Sequence, residues 1–479
     1  MDDGLHASAT RLLAAAPCSV ELPAGTGKTH LLAAAAASAA ADEARSLVLT
    51  HTNAGVDAIR RRLRQFGVPR ALVRVDTLTS WAFTLGRSYS AIAGIALSEI
   101  PDWSRSDDYV GGATRVAKAA AIAEVLCASF DYLFVDEYQD CGLVQHEFVL
   151  ALSEAIPKAI ILGDPLQAIF TFGGPTASWD RHVQPIFPPF ETKVEPHRWR
   201  SHNRVLGQWL LDLRPRLVDG RYFDVVDHRI QGLQYVPTTG NAVLAGVANS
   251  FRNFDESVVL LDKWSGDVAR HASRLGGTYK VMEEISGNFM RRELESIPAE
   301  GNHALAHWCA TFAKKCVVGL AGLDTPLLAR LEQNKSITHY ARDGIVAVLT
   351  AIDALRLNPT YAEVLTAIQA IQEVPVLRIY RWEAWNDTRA AIAMTVENGE
   401  PVLDNLARVR DRLRRSGRVS HNRIASRTLL VKGLEYDHVV IADLDKMRDP
   451  RNLYVALSRA RKSVTIVGRS SRVALRDGA

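Results

Sequence analysis

Cysteine is scarce in this chain: Cys18, Cys127, Cys141, Cys309 and Cys316 are all there is in 479 residues. No two form a C-x-x-C pair or a metal-ligand spacing, so a disulfide scaffold and a zinc module are excluded and buried reduced thiols are expected. Long apolar runs are missing too. The richest, Leu31–Ala41, is mostly alanine; it is too short and too weakly apolar to span a bilayer, and reads as a helix. Asp2 and Asp3 stand where a secretory leader carries basic residues, which predicts a cytoplasmic protein with no membrane partner. Neither sign of charge dominates: Lys+Arg 57 against Asp+Glu 53 leaves +4. That permits a nucleic-acid partner without arguing for one, because such sites are local stripes. No internal repeat is visible.

What is present is ordinary globular material, 47% hydrophobic and 23% charged, in a chain too long for one core. The first 190 residues alternate short apolar runs with helical patterns, the signature of a parallel sheet covered by helices. Ser19–Leu22, Leu47–Thr50, Leu72–Val75, Tyr132–Val135 and Ile160–Leu162 are the expected strands. Each is followed at once by polar residues, where open α/β sheets bind ligands. A second set of buried strands, Val258–Leu261, Val439–Ala442 and Val464–Val467, is split by a stretch with helical periodicity, as in Ile345, Leu349, Ile352 and Leu355. The expected fold class is therefore α/β with two parallel-sheet domains and helical insertions. Residues 1–190 form the first, with a short insertion near 82–130. Residues 191–275 and 421–479 form the second, interrupted by a helical subdomain at 276–420.

Ala24-Gly25-Thr26-Gly27-Lys28-Thr29 follows a strand and opens a helix. This is the context of a phosphate loop, in which Gly25 and Gly27 let backbone N–H groups approach phosphate oxygens. Lys28 would reach the terminal phosphates and the Thr29 hydroxyl would ligand Mg²⁺. Asp136-Glu137 ends the fourth strand: one carboxylate to hold Mg²⁺, one to take a proton from attacking water. Thr50-His51-Thr52-Asn53 and Thr77-Leu78-Thr79-Ser80-Trp81 set hydroxyls and amides at strand ends, where His51, Thr52, Asn53 and Thr77 can touch nucleic-acid phosphates without reading sequence. The arginine run Arg408, Arg410, Arg412, Arg414, Arg415 and Arg418 reads first as a solvated helix face.

Taken in order, these motifs with Gly163-Asp164-Pro165-Leu166-Gln167, Val431–Tyr436 and Leu453–Ala460 resemble superfamily 1 helicases of the UvrD/Rep type. The resemblance covers most of the chain apart from its middle. It implies two RecA-like domains that hydrolyse ATP with Mg²⁺ in their cleft and move along single-stranded DNA, or tailed duplex DNA, in the 3′→5′ direction. It assigns γ-phosphate sensing to Gln167, charge stabilisation to Arg200 and Arg459, and nucleotide contact to Glu435. Trp199 falls where the family stacks an aromatic on adenine, although a core tryptophan is an equal reading. Phe172, with Phe170, falls where bases stack on aromatics.

Several departures accompany the resemblance. The family's N-terminal adenine-reading glutamine has no counterpart before Gln65. Gly173 stands at a common arginine position, and His51 at a common phenylalanine. The insertions are short. Reduced helicases of this type occur beside a nuclease in prokaryotic defence systems such as Gabija. A second expectation is therefore a DNA- or nucleotide-sensing ATPase that regulates a nuclease partner in antiviral defence, as against a motor in DNA repair.

Overall fold

The computed structural model describes residues 3–96, 105–170, 174–238, 240–284, 286–339, 344–416, 418–419 and 421–476. The chain divides into two compact units: residues 1–223, 448–462 and 474–479, and residues 224–447 and 463–473. Among the described residues no helix is long and apolar enough to cross a membrane, and all five cysteines are free thiols.

The first unit is built on five strands, β1 (Cys18–Glu21), β2 (Ser46–Thr50), β3 (Val73–Thr77), β4 (Tyr132–Val135) and β5 (Lys158–Gly163), in the order β1-β5-β4-β2-β3. Every pairing is parallel, as in Phe134 opposite Ile160 and Val48 opposite Phe134. Parallel strands need crossovers, and helices on both faces explain the continuous apolar runs. Val48, Phe134 and Ile160 turn to one face and pack with Leu32 and Ala36 of the helix α2 (Lys28–Ala41). Leu49, Val135 and Ile161 turn to the other and pack with Phe148 and Leu152 of the helix Leu143–Ala155. Threonines cap two crossover helices: Thr52 accepts from Gly55 N–H at 3.0 Å, ahead of α3 (Asn53–Gln65). Thr77 accepts from Ser80 N–H at 3.1 Å, ahead of α4 (Leu78–Ser88).

The second unit carries a sheet of six strands: β6 (Leu233–Pro237), β7 (Val258–Leu261), β8 (Lys280–Val281), β9 (Arg423–Ser426), β10 (Tyr436–Ile441) and β11 (Ala460–Gly468). Their order is β6-β11-β10-β7-β9-β8, with β7 pairing parallel to both β9 and β10. Helices from Asn288–Glu295 to Val402–Ser416 lie between β8 and β9 in sequence. Their separate core centres on Trp308, Phe312 and Trp385, stacked at centroid distances of 5.4 and 5.6 Å. The fold is thus two RecA-like α/β domains, the second interrupted by helices. The compact units cut the chain differently from the sequence boundaries: residues 191–223 and 448–462, which carry Arg200 and Arg459, pack with the phosphate loop.

The basic run is not a solvated face throughout. Arg410 is buried, with Nη1 2.6 Å from Asp387, and Arg418 pairs with Glu383 at 2.7 Å. Both guanidiniums are held by internal carboxylates.

Candidate active site

The turn after β1 is possible because two glycines adopt left-handed backbone angles, φ 70° at Gly25 and 93° at Gly27. Gly25 is also sterically required. A Cβ there would lie 2.7 Å from the Trp199 ring and 2.8 Å from Arg198 Cβ. Gly27 caps α2 and offers no side chain to the helix end, so the first N–H groups and the positive end of the helix dipole are presented to an anion. Thr26 turns its hydroxyl inward onto Pro23 O at 2.7 Å. Lys28 and Thr29 follow on the first turn.

Lys28 is buried, and its Nζ lies 3.0 Å from Glu137 Oε1. Burial works against its charge. The carboxylates of Glu137, Asp136 and Asp164 more than offset this, so its pKa rises above the ordinary lysine value and it stays an ammonium. Glu137 has φ 56°, rare for a residue with a Cβ. Its N–H donates to Asp136 Oδ1 at 2.9 Å. Gln139 joins β4 to β5: its amide nitrogen donates to Glu137 Oε2, and its oxygen accepts from Asp164 N–H at 2.9 Å. Asp164, fully buried, accepts from Gln167 Nε2 at 2.9 Å. Gln167 Oε1 in turn accepts from Arg459 Nη2 at 3.1 Å. Arg459 is 1% exposed and donates also to Val455 O at 3.0 Å and Ser458 Oγ at 2.8 Å. One continuous set of contacts therefore runs from the Lys28 ammonium to the Arg459 guanidinium.

Three members of this set escape a reading of the sequence. Gln139 is one. The second is Arg214, on the helix Arg204–Asp219, which pairs with Asp164 at 2.8 Å and Glu21 at 2.9 Å. Its only local signal is an arginine beside the buried stripe Leu206, Leu210, Leu213 and Leu217. The third is Tyr454, whose hydroxyl accepts from Ala24 N–H at 3.3 Å and whose ring lies 5.1 Å under Arg214. Burial, with Asp164 adding to it, pushes Tyr454 up to about 12.

Two expected residues stand apart from the acid cluster. Of the two readings of Trp199, the structure holds the core one. It is fully buried, its Nε1 donates to Ala460 O at 2.6 Å, and its ring backs Gly25. Arg200 does not join the acid cluster; it is 63% exposed and pairs with Glu195 at 2.8 Å. Arg200 directly follows the short 3₁₀ turn His197–Trp199, in which successive side chains leave about 120° apart, so the two neighbours enter different surroundings. Arg200 instead lines a cleft of about 430 Å³ that shares Thr26 and Gly27 with the phosphate loop.

The expected nucleic-acid contacts are spread along the strand ends. Thr52 and Asn53 are exposed. His51 Nε2 lies 3.3 Å from Cys141 Sγ. Thr77 is mostly buried, and its hydroxyl, besides capping α4, donates to Ser80 Oγ at 2.7 Å. Phe170 is half exposed; Phe172 and Gly173 lie outside the described residues. Glu435 is exposed on the turn before β10, in the second unit. Among the described residues no three His, Cys, Asp or Glu side chains converge on a metal-sized site. Oxygen donors near the loop include the Thr29 hydroxyl and the buried Asp136 carboxylate, with Glu137 held by Lys28 and Asp164 by Arg214. That set fits Mg²⁺, which keeps waters and takes phosphate oxygens beside one or two protein ligands.

Comparison with known proteins gives two family matches. The UvrD/REP helicase N-terminal domain matches residues 106–179, which hold Asp136, Glu137, Asp164 and Gln167. The UvrD-like helicase C-terminal domain matches residues 430–467, which hold Glu435, Tyr454 and Arg459. The chain is 31% identical over 75 residues to the ATP-dependent DNA helicase Rep of Buchnera aphidicola subsp. Baizongia pistaciae (strain Bp). That stretch is 16% of this chain and 11% of that protein's length. The phosphate loop lies outside both family matches but stands in the same sheet as the first. With the two matches in N-to-C order on two RecA-like sheets, the chain is similar to superfamily 1 helicases of the UvrD/Rep type.

Proposed function

We propose that the protein hydrolyses ATP with Mg²⁺ and uses the cycle to move 3′→5′ along single-stranded DNA. The observation that carries this is the contact set from Lys28 through Glu137, Gln139, Asp164 and Gln167 to Arg459. A cation, a base, a relay and a second cation are what phosphoryl transfer asks of a protein.

Lys28 and the loop N–H groups would bind the phosphates. Thr29 and Asp136 would hold Mg²⁺, which neutralises charge on the phosphate oxygens. Glu137 accepts the proton of the attacking water as the oxygen–phosphorus bond forms and the bond to the departing diphosphate breaks. Because Lys28 lies 3.0 Å from Glu137, a phosphate that draws the ammonium away raises the basicity of that carboxylate. Gln167 and Arg459 stabilise the transferring group, and Asp164 ties Gln167 to Arg214. The strand-end residues His51, Thr52, Asn53 and Thr77 would carry DNA, so both ligands act on the same loops.

The test is phosphate release by the full chain with and without single-stranded DNA, with Lys28→Ala as control. Stimulation by DNA is expected. Its absence at every salt and nucleotide concentration tried refutes the motor. DNA-stimulated hydrolysis without movement on a strand favours the regulatory ATPase of a nuclease partner.

A further inference from the structure

We propose that the arginine-covered side of the first unit, made by α3 and the open edge of β3, docks the phosphate backbone of duplex DNA. The surface is separate from the strand-end residues expected to carry a single strand, and its binding needs no nucleotide.

Between Asp57 and Asp76 the chain carries Arg60, Arg61, Arg62, Arg64, Arg70 and Arg74, no lysine and no further acid. With the two bounding aspartates counted, the stretch has a surplus of four positive charges, the whole of the chain's +4. All six arginines are exposed. The fold sets them around one edge of the first unit. There α3 shares a core with α2 and with the opening helix α1 (Asp3–Ala14), through Ile59, Leu32 and Leu12. Its buried positions are Val56, Ile59 and Leu63. At about 100° per residue these turn Arg61 and Arg64 outward and set Arg60 on the flank towards β3, where its Nη2 donates to Val75 O at 2.6 Å. Arg74 comes from β3 itself, the edge strand of the sheet. Among the described residues Arg74 is the one arginine of the six that meets a carboxylate, Asp76 at 3.1 Å, and Arg61, Arg64 and Arg70 meet no partner.

Two structural needs account for part of this charge. Cations suit the last turn of a helix, which covers Arg62 and Arg64. Charge on an open edge strand blocks pairing with another chain, which covers Arg74. Neither calls for Arg61 or Arg70. Arg61 and Arg64, three apart on a helix, bring like charges about 5–6 Å apart at Cβ, at a small cost to the free protein. A polyanion removes that cost. Guanidinium forks bind phosphate oxygens two at a time, and duplex DNA presents about one negative charge per 1.7 Å of its axis. The rings on this surface choose duplex over single strand. Single-strand sites stack unpaired bases on aromatic side chains, whereas the one aromatic residue between Asp57 and Asp76, Phe66, is half-buried against His30. A face of guanidiniums without an exposed ring grips backbone and reads no base.

The experiment is fluorescence anisotropy of the full chain with a labelled blunt-ended duplex about two helical turns long, without nucleotide, between about 50 and 200 mM salt. Arg61→Gln/Arg64→Gln/Arg70→Gln removes three exposed cations that meet no carboxylate, so the variant should melt like the parent. Each phosphate contact contributes about 0.9 to the slope of log K against log salt. The variant's slope should therefore be shallower by about 2–3, and its duplex affinity at the lowest salt lower by more than about tenfold. Arg61→Lys/Arg64→Lys/Arg70→Lys keeps the charges and should recover most of the slope. Affinity for labelled oligothymidine, which has no duplex, should stay within about twofold of the parent in both variants. An unchanged duplex slope in the glutamine variant, or a parent with no affinity for the duplex, overturns the proposal. So does an equal loss on oligothymidine, which assigns the arginines to the single-strand path, or polyglutamate competing as well as duplex at equal charge, which makes the face a general polyanion surface. Phosphate release is not read, so failure here leaves the hydrolase reading intact, and a chain that hydrolyses nothing can still pass.

Discussion

Replacing Arg214 by methionine tests whether Asp164, at the centre of the contact set, is held by a buried cation. Methionine keeps the apolar stem and removes the guanidinium. Asp164 is fully buried and Arg214 is 13% exposed. The two meet through Nη1 at 2.8 Å to Oδ1 and 3.0 Å to Oδ2. Without Arg214 the carboxylate retains Leu166 N–H at 3.2 Å and Gln167 Nε2 at 2.9 Å, which do not cancel its charge. Stripping one partner from a buried pair costs about 3–5 kcal/mol, mostly the cost of the stranded ion. At about 2–4 °C per kcal/mol for a body of this size, the first unit's melting temperature should fall by roughly 10 °C. Adding Asp164→Asn removes the stranded charge, so the double variant should melt above Arg214→Met alone. Glu21, the other partner, is 46% exposed, and Glu21→Gln should cost about 1 kcal/mol or less. Circular-dichroism melts and urea titrations of the full chain measure all four proteins. A loss under about 1 kcal/mol for Arg214→Met, or a double variant no more stable than the single, would refute the reasoning.

Three further outcomes are expected. Lys28→Ala should abolish nucleotide binding in calorimetry, whereas Glu137→Gln should bind like the parent and release no phosphate, because geometry survives and basicity does not. Arg459→Lys keeps the charge but loses the fork that reaches Gln167, Val455 O and Ser458. Steady-state kinetics should show turnover down by up to about 10³-fold, the lower end for arginines of this kind, with a smaller change in nucleotide affinity. Burial raises Glu283 to about 6 although Arg381 opposes it. The folded state then binds this proton more tightly than the unfolded chain, so the associated stability is complete below the unfolded value of 4.5 and is lost as pH rises through 6. The parent-minus-Glu283→Gln difference in unfolding free energy should fall by about 2 kcal/mol between pH 4 and pH 7; a flat difference contradicts it.

Much of this protein is written locally. The apolar runs Leu47–Thr50 and Tyr132–Val135 announce buried parallel strands, since helices on both faces leave no position in them polar. Gly25, Gly27 and Lys28 announce the phosphate loop, because its backbone angles and the helix that follows are properties of adjacent residues. Asp136-Glu137 is legible for the same reason: a strand end sets where two neighbouring side chains go. What the sequence could not decide is which distant residues those side chains meet. Trp199 and Arg200 are neighbours, the first readable as a core residue or an adenine platform and the second as a phosphate cation. Only packing buries the first against Gly25 and Ala460 and leaves the second on the rim with Glu195. Nothing local pairs Arg214 with Asp164, 50 residues away, or Tyr454 with Ala24, 430 residues away, yet packing brings them together. The arginines of the basic run look solvated in a helical pattern, and Glu383 and Asp387, on another helix, turn Arg410 and Arg418 inward. Periodicity and backbone angles are set within a few residues and so survive in the sequence; pairing of buried charges depends on the whole chain's packing, and tertiary structure alone decides it.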